Sequence, residues 1–92
     1  MALKDTVDMM CSEDYRERFK AEYMQTKIRY EKLKKLNTAI EAATRTRYDH
    51  NVISVPTPTH TCPEELLCEQ QRIMGEYLHI LEVRAAIENI IL

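Results

Sequence analysis

Arg45, Arg47 and Tyr48 stand within four residues of one another near the middle of the chain. Guanidinium forks hold phosphate oxygens in pairs, and a neighbouring phenol ring offers a nucleobase a face to stack on. Tyr15, Arg16 and Arg18 repeat that mixture of chemistries nearer the start, and Arg84 stands among apolar neighbours near the end. These seven are the candidate contacts for a small, anionic, aromatic ligand. Each also has a plainer reading. Basic residues favour a helix C-terminus, so Arg45-Thr46-Arg47 also suits a solvated helix end. Arg84 also suits an ion pair with Glu22 or with Glu88 at i+4. Tyr23, Tyr30 and Tyr77 fall at helical spacing and read as packing residues.

Catalytic chemistry has a thinner basis. His60 and Cys62 are the nearest approach to a base and nucleophile, but they share a Pro-containing loop with no third group to orient the imidazole. His50, His60, Cys62 and Cys68 are metal-ligand types whose spacing matches no standard zinc pattern. The expectation is a protein that binds without catalysing, with no cofactor and no metal.

Charge narrows the ligand. The chain carries 13 Lys/Arg and 15 Asp/Glu, a net charge of −2. Residues 1–50 hold the basic excess, concentrated between Thr26 and Arg47, while residues 51–92 are acidic. A single basic stretch gives little capacity to neutralise a polymeric nucleic acid, whereas a small anion needs far less. No apolar run approaches the ~20 residues that span a bilayer. Three cysteines without framework spacing suit a reducing compartment, and the first residues do not resemble a signal peptide. A cytoplasmic protein (in a bacterial host, given the resemblance below) with no membrane partner is expected.

The elements that must position these groups are helical. One Gly and three Pro in 92 residues favour long helices in a single domain. A short lead-in helix is expected around Asp5–Met10, with Ser12 as the N-cap of a long helix over about 13–45. Phe19, Tyr23, Thr26, Tyr30, Leu33, Asn37 and Ile40 repeat at 4-3 spacing and form its seam. A connector over 46–61 follows, with Val52–Val55 as an extended segment and Pro56-Thr57-Pro58 as a stiff stretch. Thr61 and Glu64 have capping-box spacing, with Pro63 in the first turn, and open a helix over about 63–91. There Leu66, Gln70, Ile73, Tyr77, Ile80, Arg84, Ile87 and Ile91 form the seam, with a second stripe at Leu67, Met74, Leu78 and Leu81. Such a face is too wide for one partner helix, and two helices alone bury little surface. The expected architecture is all-α, a long antiparallel helical hairpin with a short N-terminal helix, assembling as a homo-oligomer.

The stretch from Asp14 to Leu33 (DYRERFKAEYMQTKIRYEKL) resembles a family of short phage and prophage proteins first named from a crAss-like phage. The second half agrees through Cys62-Pro63-Glu64-Glu65-Leu66-Leu67-Cys68-Glu69-Gln70, Met74-Gly75-Glu76-Tyr77-Leu78 and Leu81 to Glu88. The likeness covers about residues 12–36 and 62–88. More distantly, the layout is similar to the helical-hairpin sponges with which phages counter CBASS and Thoeris defence. Those are compact oligomers, often hexamers, whose aromatic and basic side chains enclose a cyclic nucleotide between subunits without cleaving it. The resemblance implies the same here: capture of a cyclic di- or trinucleotide or a cyclic ADP-ribose isomer. A competing expectation is a protein–protein module that inhibits a host defence factor or supports phage assembly, docking through the wide apolar face of the second helix.

Overall fold

The computed structural model describes all 92 residues. A 3-10 turn at Leu3–Thr6 runs into the short helix α1, Val7–Met10. Two long helices follow, α2 over Tyr15–Thr46 and α3 over Glu64–Glu88. The chain is all-helical and extended, measuring 56 × 26 × 21 Å.

The start of α2 is set by Asp14, whose side chain accepts a hydrogen bond from the Arg16 N–H at 3.0 Å. Ser12, the expected N-cap, lies two residues too early. Its hydroxyl accepts from the Asp14 N–H instead, holding the turn that delivers Asp14 to the cap. No Gly or Pro interrupts the next 32 residues, so the helix runs for about 48 Å at 1.5 Å per residue. The expected seam is the inward face: Phe19, Tyr23, Asn37 and Ile40 are buried, and Thr26, Tyr30 and Leu33 are half-buried. The lead-in is pinned to this helix by Thr6, which is fully buried. Its hydroxyl donates to the Leu3 carbonyl and accepts from the Gln25 side-chain amide.

The connector is irregular, without the regular extended segment expected at Val52–Val55. It is tied back to the end of α2, where the Thr46 hydroxyl accepts from the Val55 N–H and the Ser54 hydroxyl donates to the Thr46 carbonyl. The capping box expected at Thr61 does not form. Pro63 occupies the cap position with no side-chain bond, and its carbonyl accepts from the Leu66 and Leu67 N–H groups.

Helix α3 runs back along α2, with facing residues tying the two: Tyr15 to Glu88, Tyr23 to Glu82 and Asn37 to Leu67. This register decides which face of α3 is buried, and it is the second stripe. Leu78, Leu81 and Ala85 are buried and Leu67, Gln71 and Met74 half-buried. The stripe expected as the seam, Leu66, Ile73, Tyr77, Ile80, Arg84, Ile87 and Ile91, remains exposed. The core cluster comprises Phe19, Tyr23, Leu78, Leu81, Ala85 and Ile90, with Met24 and Tyr30 packed against it. It therefore sits toward the end of the molecule where α2 begins and α3 finishes.

The second helix stops at Glu88, three residues before the expected 91, because Asn89 turns left-handed at φ 56°, ψ 44°. The Ile90 N–H then closes onto the Ala85 carbonyl at 2.8 Å, and the Ile90 side chain is buried. That six-to-one closure with an apolar contact is a Schellman ending, with Asn in the place more often held by Gly.

Candidate functional site

The seven candidate residues separate into two groups at opposite ends of the α2–α3 pair. Arg45 follows Tyr15 by thirty residues along one continuous helix, roughly 45 Å. No small ligand can touch both groups in one protomer.

At the first end the groups are already engaged with one another. Arg84 lies over the Phe19 ring, 5.1 Å from its centroid, a cation–π contact on a buried aromatic. It donates to the Tyr15 hydroxyl at 2.7 Å and to the Glu88 carboxylate at 3.4 Å. Tyr15 in turn donates to the other Glu88 oxygen at 3.0 Å and sets its ring edge-on to Phe19. Arg16 donates to the carbonyls of Asn89 and Glu88, placing positive charge on the negative end of α3. Arg18 donates to the Ser12 carbonyl at 2.8 Å and braces the turn before α2. Of the two partners considered for Arg84, Glu88 holds it, whereas Glu22 accepts from Tyr77.

Three phenols at this end bridge α2 and α3 by donating to carboxylates, and all three are harder to ionise than free tyrosine. The Tyr23 hydroxyl is pushed up to about 12, first by its bond to Glu82 and then by burial. Tyr77 is raised first by its bond to Glu22 and then by burial. Tyr15 is raised first by desolvation and then by Glu88, while Arg84 pulls in the opposite direction.

At the other end the groups stand largely free. Arg45 closes on Glu41 at 2.7 Å, one turn earlier on an open helix face. Arg47 donates to the Thr57 hydroxyl at 3.2 Å, and Tyr48 is 84% exposed. Beside them lies a groove of about 300 Å³ between α2 and α3, lined among others by Asn37, Thr38, Glu41, Thr44, Cys68 and Gln71. That is the lower end of the size range for small-molecule sites. Asn37, only 8% exposed, donates to the Leu67 carbonyl and the Gln71 side chain, yet its Oδ1 has no partner. This end thus combines two guanidinium groups and an open aromatic ring, contacts that a nucleotide can use, with a polar groove further along the helix pair.

The groove was not legible from the seven residues singled out. Its signal was Asn37 as a polar interruption of an apolar seam. His60 engages the Pro58 carbonyl and lies 3.8 Å from Glu64 rather than bonding to Cys62, and Cys11, Cys62 and Cys68 are free and exposed. No three His, Cys, Asp or Glu side chains converge on a common point, and no helix is long and apolar enough to cross a membrane.

No curated protein and no solved structure matches the chain. A family model does: that of Sequestin, over residues 13–87, which takes in all of the connector and all but one residue of the two long helices. The chain belongs to the Sequestin family.

Proposed function

We propose that this protein is a phage sponge: a homo-oligomer of helical hairpins that binds a cyclic nucleotide between protomers and holds it without cleaving it. It would act in the host cytoplasm against a defence pathway, CBASS or Thoeris, that signals through such a molecule. Membership of a family whose name denotes sequestration carries the reading. The open end of the helix pair supports it, with Arg45 and Arg47 for phosphate and Tyr48 for a base face. Tyr15, Arg16, Arg18 and Arg84 are the basic and aromatic groups of the other end.

The test is a thermal-unfolding panel of the purified protein against cyclic di- and trinucleotides and cyclic ADP-ribose isomers. Ligand at 100 times its Kd adds about 2.7 kcal/mol, a rise of about 10 °C or more for a chain of this size. A rise of that order for one ligand class identifies the captured signal. A flat panel sinks the reading.

The exposed apolar stripe of α3 favours a second reading, a module that docks on a host defence factor or a phage assembly partner. Salt separates the two. Capture of an anion weakens as ionic strength rises, whereas apolar docking does not.

A further inference from the structure

The α3 residues left outside the core keep an unbroken 4-3 spacing, Leu66, Gln70, Ile73, Tyr77, Ile80, Arg84 and Ile87, with the exposed Ile91 just past the end of the helix. Packed against α2 by its other stripe, α3 therefore presents a complete second seam to solvent, with Ile87 77% exposed. We infer that this seam pairs with the same seam of a second copy, the two α3 helices running antiparallel, so that each protomer's connector end meets its partner's Tyr15–Arg84 end.

The direction follows from the residues. Parallel pairing sets every residue against its own copy, so Arg84 faces Arg84 and Gln70 faces Gln70, the like-charge arrangement that coiled coils avoid. In an antiparallel pair, positions of one type face those of the other. The register with Tyr77 opposite the partner's Ile80 also sets Ile73 opposite Arg84 and Gln70 opposite Ile87. Six of the seven helical positions are then paired, Ile87, the most exposed apolar one, among them; a slip of one heptad either leaves Ile87 unpaired or pairs only four positions. In that register the stem of Arg84 packs on the partner's Ile73, where the exposed Glu69 and Glu76 flank its charge. The six apolar side chains leave on the order of 700 Å² open on each protomer, close to the ~800 Å² per partner of a stable interface.

Pairing in this direction resolves the division of the candidate residues. Arg45, Arg47, Tyr48 and the Asn37 groove of one protomer come to the same end as Tyr15 and Arg16 of the other, twice per dimer. That consequence rests on the nucleotide reading; the pairing itself does not.

The experiment combines solution mass with site-directed cross-linking of the full chain. Cys11, Cys62 and Cys68, all exposed, are first replaced by Ser, and single cysteines are then placed by Ile80→Cys or Leu66→Cys. The two-fold axis passes between residues 78 and 79. The two copies of position 80 are then offset by only ~4.5 Å along the helices, and those of position 66 by ~37 Å. A mass of two chains, or a multiple of two, with a short bismaleimide coupling Ile80→Cys but not Leu66→Cys, is the expected result. Ile73→Glu with Ile80→Glu should weaken association ~100-fold or more while leaving the helical circular-dichroism signal in place. A single-chain mass, coupling at both positions or coupling at neither overturns the pairing. If pairing stands and no cyclic nucleotide raises the melting temperature, the sponge reading alone falls. If a nucleotide stabilises a single-chain species, the pairing and capture between protomers both fall, while nucleotide binding stands.

Discussion

The two ends of the α2–α3 pair hold the same kinds of side chain and use them oppositely. Where α2 begins, Tyr15, Arg16 and Arg84 spend their hydrogen bonds on Glu88, Asn89 and one another, above the buried Phe19. Where α2 ends, Arg45 and Arg47 each make one exposed contact and Tyr48 has open faces. The difference follows from where the core sits. Phe19, Tyr23, Leu81, Ala85 and Ile90 lie toward the first end, and the close packing of the helices there brings the exposed side chains around that core within reach of partners on the facing helix. At the second end polar residues, Asn37, Thr44 and Gln71 among them, line a groove between the helices. An arginine or tyrosine in the sequence therefore signals binding only where packing has not already claimed it.

The widest separation of the two ends should come from truncating their aromatics. Phe19→Ala removes a side chain that is 3% exposed and takes away the surface under Arg84, so a loss of about 3–5 kcal/mol is expected in urea unfolding. Tyr48→Ala should change stability by less than about 0.5 kcal/mol. Equal effects would mean that the connector packs more tightly than its exposure shows.

Ligand affinity should reverse that order. Arg45→Ala together with Arg47→Ala removes two phosphate donors from the open end, and a 10- to 100-fold weaker Kd for the nucleotide is expected, about 1.4–2.8 kcal/mol. Helicity should persist, because neither side chain enters the core. Calorimetric titration of the double variant measures it. Full-strength binding would move the site to the other end.

A phenol sharpens the comparison through pH. Tyr23 ionises near 12 in the folded chain and near 10 when unfolded. Its bond to Glu82 therefore stabilises the fold fully below pH 10, and that contribution is lost as pH rises through 12. Tyr23→Phe should cost about 1–2 kcal/mol at pH 8 and show a shallower fall in stability between pH 10 and 12. Parallel curves for the two proteins would show that the bridge contributes nothing.

These contrasts were only partly legible in the residues. The seam of α2 could be read because one 4-3 pattern runs through it with nothing competing. On α3 two apolar stripes lie one residue apart, Leu66 beside Leu67, Ile73 beside Met74, Tyr77 beside Leu78 and Ile80 beside Leu81. Periodicity cannot choose between them. The choice is made by facing residues, such as Tyr23 with Glu82 and Asn37 with Leu67. The end of α3 was hidden for a similar reason, since Ile90 and Ile91 continue the apolar spacing past Asn89, whose left-handed turn stops the helix. Of the site, the Arg84–Glu88 pair followed from i+4 spacing. Arg16 on the α3 carbonyls and Arg84 on Phe19 needed the antiparallel contact between residues roughly seventy apart.

The smallest expected effect lies between the two ends, at Gly75. A glycine inside a helix costs about 1 kcal/mol relative to alanine, and α3 carries this one in mid-course. A Cβ there would meet the Tyr30 ring, with Cε1 at 3.3 Å and the hydroxyl at 3.5 Å. Contact at 3.3 Å requires the ring to yield by a few tenths of an ångström. Tyr30 is only half-buried and is not one of the phenols bonded to a carboxylate, so its ring can shift toward solvent. The helix-propensity gain should then exceed the packing cost, and Gly75→Ala should stabilise by about 0.5 kcal/mol. Thermal unfolding at neutral pH measures it. A loss of more than about 1 kcal/mol would mean instead that Tyr30 is held as firmly as the phenols beside Phe19, and that the well-packed end reaches past the middle of the helices.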